Sequence, residues 1–301
     1  MNPSNFGMDT ITLAGPLEAK LRASRAAGLT QIMLWARDLA GHPEGIDAAV
    51  RLVRESGLRV TGIQVMRDYE GLSGTLHHYK VDIARSMLEI CHAVGAPLLM
   101  VCSSTSRHAS ADHGKIAGDL AKLANLAVPM GVRIGYEALS WGRHVNDYLS
   151  SWEIVDEANH ANLGVVIDSY HILANGSALD ALDGIPSHKI ALVQLSDFMW
   201  RELRSPEERL ETARHLRVFP GEGEHSAELS ELLRRLYRGG YRGDYSFEVF
   251  NDDYLQMPPE AVAKRALQSA KWVTDQVLRR SLRVREGALF NAVETHLVPA
   301  P

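Results

Sequence analysis

The sequence predicts a single α/β domain closed as a (β/α)8 barrel. Three observations carry this. Short apolar runs rich in β-branched residues alternate with longer helical patterns. The alternation repeats eight times, the count at which a parallel sheet closes on itself. No composition break or low-complexity segment divides the 301 residues, so one barrel of roughly 250 residues accounts for the chain better than two domains. An open, doubly wound sheet is the alternative. It wants a glycine-rich phosphate loop after an early strand, and the nearest match, Gly221-Glu-Gly223, comes after the seventh.

The first strand is Thr10 to Leu13, and Pro16 opens a helix that Gly28 closes. Gln31 to Trp35 is the second strand, followed by a helix near 43–56 that ends at Gly57. Leu58 to Val65 is the third, and the helix after it, 77–94, ends at Gly95. Pro97 to Val101 is the fourth; a Ser/His-rich loop and a helix over 110–128 follow. Val132 to Glu137 is the fifth, with a helix near 146–159. Leu163 to Asp168 is the sixth, with a short helical stretch near 177–183. Ile190 to Leu195 is the seventh, and a long polar connection leads to a helix near 226–238. Asp244 to Val249 is the eighth, and the last helix covers 259–280. Near-continuous apolar strands are what a parallel sheet covered on both faces requires. Residues 1–281 are assigned to the barrel and 282–301 to a C-terminal extension.

Charge and composition narrow the function. Thirty-two Lys+Arg against 37 Asp+Glu leave a net charge of −5, which argues against nucleic acid as a partner. The two cysteines, Cys91 and Cys102, exclude a disulfide scaffold or a cysteine-rich zinc domain and read as small buried hydrophobes. No apolar run approaches the ~18 residues of a membrane span, and no basic-then-apolar leader opens the chain. A cytoplasmic protein acting on a small molecule, without membrane partners, is expected; a homo-oligomer is compatible with this composition.

Barrel enzymes build their sites at the C-terminal ends of the strands. Here the fifth strand ends in Glu137 and the sixth in Asp168; the seventh carries Gln194 near its end and the eighth carries Glu248. One acidic residue at a strand end is ordinarily a helix cap or a surface charge. Four consecutive strands offering side-chain oxygens point instead to a shared ligand. Converging carboxylates repel unless a cation lies between them, and oxygen-only ligation favours Mg²⁺ or Mn²⁺ over zinc. His171, just past Asp168, suits acid–base work near neutral pH. Arg67 after the third strand, and Arg214 and Arg217 before Phe219-Pro-Gly-Glu-Gly223, are candidates to grip a substrate carboxylate. Ser103 opens a run of hydroxyls, Ser103-Ser-Thr-Ser106, suited to a polyhydroxylated substrate or to turns. Trp141-Gly-Arg-His144 follows Glu137 and is placed to cover the mouth, which makes His144 a further substrate-binding candidate. A serine-hydrolase G-x-S-x-G elbow is absent.

Together these motifs resemble the xylose-isomerase-like TIM barrels: Glu137, Asp168-Ser-Tyr-His171, Gln194, Pro-Gly-x-Gly and Glu248, over about residues 9–280. Longer strings, Arg67-Asp-Tyr-Glu-Gly71, Tyr136-Glu-Ala-Leu-Ser-Trp-Gly-Arg-His144 and Arg214-His-Leu-Arg-Val-Phe-Pro-Gly-Glu-Gly223, are similar to bacterial 3-dehydroshikimate dehydratases. The resemblance implies one divalent ion (Mg²⁺, Mn²⁺ or Co²⁺) held by Glu137, Asp168, Gln194 and Glu248. It implies acid–base duty for His171, the expected base, with Glu137 and Glu248, and carboxylate binding by arginine. The implied reaction is the conversion of 3-dehydroshikimate to protocatechuate and water, a step of quinate/shikimate catabolism. A divalent-metal-dependent sugar or keto-sugar isomerase/epimerase is the alternative.

Overall fold

The structure is a computed structural model that describes residues 3–278; the segment assigned as an extension, 282–301, lies outside the described residues. Eight strands, all parallel, pair in sequence order, and the eighth closes on the first, Phe6 beside Tyr245. In chain order the elements are β1 (Phe6–Asp9), α1 (Leu17–Ala26), β2 (Gln31–Trp35), α2 (Ala36–Ala40), α3 (Ile46–Glu55), β3 (Arg59–Arg67), α4 (Gly74–Val94), β4 (Leu98–Cys102) and α5 (His113–Ala127). They continue as β5 (Arg133–Glu137), α6 (Tyr148–Ala158), β6 (Leu163–Asp168), α7 (Ser169–Asn175), β7 (Ile190–Leu195), α8 (Pro206–His215), α9 (Ser226–Arg238), β8 (Tyr245–Phe247) and α10 (Pro259–Lys271).

The period-two alternation of the strands sorts the apolar residues into two cores. Leu99, Val101, Ile134, Tyr136, Val165, Ile167 and Val193 pack outward against helical residues such as Leu88, Leu120, Ile154 and Leu233. Leu98, Met100, Cys102, Val166, Leu192 and Met33 form a separate cluster inside the barrel. Two strand glycines make room for it. A Cβ on Gly135 falls 2.8 Å from Val166 Cγ2, and one on Gly7 falls 2.7 Å from Gln31 Cγ. Larger neighbours therefore fill the lower axis, and the inward positions nearer the C-terminal ends are left to polar side chains.

Several boundaries differ from the sequence reading. The first strand is Phe6–Asp9, and residues 10–12 form a 3-10 turn. The threonine hydroxyls explain the difference: Thr10 Oγ1 accepts the Trp35 N–H at 2.9 Å and Thr12 Oγ1 accepts the Val249 N–H at 3.0 Å. That segment ties β1 to its neighbours instead of extending it. The short helical stretch expected near 177–183 corresponds to a 3-10 turn at Asp180–Gly184. Helix α7, which precedes it, was not expected and is capped by Asp168, whose Oδ1 accepts the Tyr170 N–H at 2.8 Å. The polar connection after β7 contains α8, capped by Ser205 through the Glu208 N–H at 3.1 Å. The eighth strand ends at Phe247, one residue before Glu248. The last helix runs to Lys271, and Trp272–Leu278 widens into π-helical turns. Among the described residues no helix is long and apolar enough to cross a membrane.

Candidate metal centre at the barrel mouth

Strand register sets the site. Arg67 stands beside Cys102 and Cys102 beside Glu137; Asp168 stands beside Gln194 and Gln194 beside Ser246. Because side chains alternate, these inward positions reach the axis near one height, and Glu248 joins them two residues beyond Ser246. Glu137, Asp168, Gln194, Glu248 and His171 are all buried.

The donors are unevenly satisfied. Glu137 Oε2 accepts the Cys102 thiol at 2.9 Å, while its Oε1 is buried without a hydrogen-bond partner. Gln194 Nε2 donates to Asp9 Oδ2 at 2.9 Å, while its Oε1 is likewise buried and unpartnered. Arg217 Nη1 donates to Asp168 Oδ2 at 2.9 Å and to Glu248 Oε2 at 3.0 Å. One ligand atom each from Glu137, Asp168 and His171 lies within 4.8 Å of the others. An orphaned buried acceptor costs on the order of 1–3 kcal/mol. Two such oxygens beside two further carboxylates form a donor set that fits a hard divalent ion.

Electrostatics supports the same fit. Burial, followed by the charge of Glu248, pushes the carboxyls of Asp9 and Glu137 well above the carboxylate range. Burial also raises Asp168, against the pull of Arg217, and pushes Glu248 up to about 7. Burial opposes the charge of Arg217, but Asp168 and Glu248 outweigh it and keep the guanidinium protonated. One cation does not balance four buried carboxylates, so the ring resists full ionisation unless more positive charge enters.

His171 is held in one tautomer. Its Nδ1 accepts the Ser140 N–H at 3.1 Å and faces Ser140 Oγ at 3.1 Å. A nitrogen that accepts a backbone N–H carries no proton, so the neutral ring bears its proton on Nε2. Nε2 lies 3.6 Å from Asp168 Oδ2 and 3.9 Å from Glu137 Oε1. Burial first, and Arg217 second, lower the imidazole well below its ordinary pKa, so these are contacts of a neutral ring. Trp141 and Tyr170, each edge-on at 5.2 Å, clamp it.

The remaining candidates separate. Arg217 is buried, lies 4.3 Å over Tyr170 and spends Nε on the Ala213 carbonyl and Nη1 on the carboxylates. It is a counterion of the ring. Arg214 is exposed on α8, because that helix turns Thr212 and Ala213 inward; it is not drawn into the ring. Arg67 is exposed at the end of β3, and its charge is felt at Cys102 and Glu248. Ser103 Oγ accepts the Leu139 N–H at 3.0 Å, and His144 Nε2 bonds the Ala109 carbonyl at 3.1 Å. Both brace one loop against another.

Sequence reasoning missed Asp9, Gln64, the Cys102 thiol and the Ser140 backbone. Asp9 carried the signal already used elsewhere, an acid closing an apolar run, but the run Phe6-Gly-Met was passed over for the threonines after it.

Comparison with known proteins adds the following. A family model described as xylose isomerase-like TIM barrel matches residues 21–274. The chain is 34% identical over 289 residues to the 3-dehydroshikimate dehydratase of Pseudomonas putida, which covers 94% of this chain and 44% of that protein. It therefore spans under half the length of that relative. The inosose isomerase of Bacillus subtilis is 27% identical over 211 residues, 68% of this chain and 70% of that protein. Among solved structures, a xylose isomerase-like TIM barrel/4-hydroxyphenylpyruvate dioxygenase fusion protein matches with a TM-score of 0.87 and 33% identity, over 94% of this chain and 44% of that one.

Proposed function

The chain belongs to the xylose isomerase-like TIM barrel family, and from that premise we propose that it is a divalent-metal-dependent lyase converting 3-dehydroshikimate to protocatechuate and water. The observation that carries the metal dependence is the pair of buried, unpartnered oxygens, Glu137 Oε1 and Gln194 Oε1, set among Asp168 and Glu248. The choice of substrate is supported by the relative that bears this activity's name over 94% of the chain and by the open guanidinium of Arg67.

Glu137, Asp168, Gln194 and Glu248 would hold the ion. When bound it supplies Lewis-acid polarisation of the substrate's carbonyl oxygen, which acidifies the adjacent carbon. Arg67, at the rim, grips the substrate carboxylate and fixes which face of the ring meets the protein's acids and bases. The reaction removes a proton from the carbon beside the ketone and a hydroxyl from the next carbon. His171 bears its proton on Nε2, so it donates to the departing hydroxyl, which leaves as water. This reverses its expected duty as the first base. The carbon-bound proton passes to a carboxylate of the same ring, Glu137 or Glu248. Trp141 covers His171 and limits water around the proton donor. Loss of a proton from the remaining ring methylene and protonation of the carbonyl oxygen then aromatise the ring, which makes the sequence run forward.

The test is direct. The protein, loaded in turn with Mg²⁺, Mn²⁺ or Co²⁺, is given 3-dehydroshikimate and followed by the absorbance of the aromatic product. Absorbance should rise, vanish with a chelator and return when the ion is restored. A loaded protein that leaves the substrate untouched overturns the dehydratase. The inosose isomerase among its relatives supports a second reading, an isomerase of polyhydroxylated ketones. Interconversion of such ketones by a protein inert toward 3-dehydroshikimate would establish it.

A further inference from the structure

Asp9 closes β1 at the floor of the ring and is fully buried. Three donors converge on it. Gln194 Nε2 and Gln64 Nε2 reach Oδ2 at 2.9 and 3.0 Å, and Ser246 Oγ reaches Oδ1. Oδ2 accepts from both glutamines whether Asp9 is ionised or carries its proton on Oδ1, so the Gln194 amide turns its nitrogen to Asp9. The other end of a planar amide is its oxygen, and Gln194 Oε1 is the buried atom left without a partner. Reversing the amide would set two oxygens at hydrogen-bond distance from each other and aim an NH₂ group at the ring. A glutamine can ligate a cation only through its oxygen.

We infer that Asp9 is the positioning residue that locks Gln194 with its oxygen toward the ion. The inference rests on the metal centre proposed above and is tested by binding alone. Mn²⁺ affinity is measured by the electron paramagnetic resonance signal of the free ion, in wild type and in four variants. Asp9→Leu removes the acceptor and should weaken Mn²⁺ binding about 10- to 100-fold, the usual effect of losing an outer-shell partner. Asp9→Asn keeps an acceptor oxygen for the two glutamines, turns its NH₂ to Ser246 Oγ, and should stay within about three-fold of wild type. Gln194→Glu offers oxygen at both ends and needs no orienting. In that background Asp9→Leu should strengthen binding, because it removes a carboxylate facing Glu at position 194.

Wild-type affinity in Asp9→Leu overturns the inference. So does equal weakening by Asp9→Asn and Asp9→Leu, which would make Asp9 a mere charge. So does weakening by Asp9→Leu in both backgrounds alike. A wild-type protein that binds no Mn²⁺ overturns the metal centre itself, and this inference with it. Should Asp9→Leu not fold, adding Ser246→Ala to Asp9→Asn frees the asparagine to turn its NH₂ toward Gln194. That pair should then weaken binding about ten-fold relative to Asp9→Asn, and unchanged affinity overturns the inference.

Discussion

Replacing Glu70 by glutamine measures what a buried, half-partnered carboxylate costs this fold. Glu70 lies in the connection after β3. Its Oε1 accepts the Ser104 N–H and the Tyr136 hydroxyl, and its Oε2 is buried without a partner. Burial pushes its pKa up from 4.5 to about 7, against the opposing hydrogen bonds from its own N–H, Ser104 and Tyr136. A carboxyl raised in the folded state stabilises fully below its unfolded pKa, and that contribution is lost as pH climbs through about 7. A rise of this size, at about 1.4 kcal/mol per pH unit, corresponds to about 3 kcal/mol. Glutamine retains the acceptor for Ser104 and Tyr136 and has no proton to lose. Urea unfolding of wild type and Glu70→Gln, near about pH 5 and again near about pH 8.5, isolates the effect, because every other carboxyl is common to both chains. The variant should gain about 2 kcal/mol or more on wild type between the two conditions. A stability difference that is the same at both pH values refutes the reasoning.

Three further outcomes are expected. His171→Ala should lower kcat for the proposed dehydration by about 10²–10⁴ in steady-state assays, and unchanged turnover would remove His171 from the chemistry. Arg67→Met should cut kcat/KM by about 10-fold or more, mostly through KM, as loss of a charge-assisted contact to substrate; Arg214→Ala, on the exposed face of α8, should leave both constants unchanged. His225 Nδ1 meets Asp197 Oδ1 at 2.8 Å. Burial opposes its charge, but hydrogen bonds to Asp197 and the Arg201 carbonyl outweigh this and raise its pKa. That stabilisation is complete below the ordinary histidine pKa and is lost as pH rises through the raised value. His225→Gln should therefore flatten the fall in Tm as pH rises above the ordinary histidine range, and a parallel fall in both proteins would count against it.

The strand ends were legible because a parallel barrel writes its inward positions every second residue, the apolar runs of β5 and β6 stop on carboxylates, and that of β7 carries Gln194 one residue before its end. Glu137, Asp168 and Gln194 stood out on that rule. Asp9 did not, since Thr10-Ile-Thr looks more like a strand by side-chain preference than Phe6-Gly-Met does. The contact of Gly7 with Gln31, which explains a glycine in a strand, is tertiary. Helix α8 was hidden by its polarity, Pro206-Glu-Glu-Arg, which reads as loop until the Ser205 cap is seen. The role of Arg217 depended on partners 49 and 31 residues away. The tautomer of His171 depended on a backbone N–H at Ser140, which no side-chain pattern reports.

The bonds around Asp9 straddle the seam where the first and last strands meet. Asp9 lies on β1, its partner Ser246 on β8, and the paired Phe6 and Tyr245 stitch the two together. A ribosome extruding this polypeptide would therefore deliver Glu137, Asp168 and Gln194 long before the pocket acquires its organising floor. Fragments lacking β1 or β8, however well their helices form, would be incompetent to bind until complemented by the missing edge. Metal binding at this centre is in this sense a report on closure, available only when β1 and β8 have found each other.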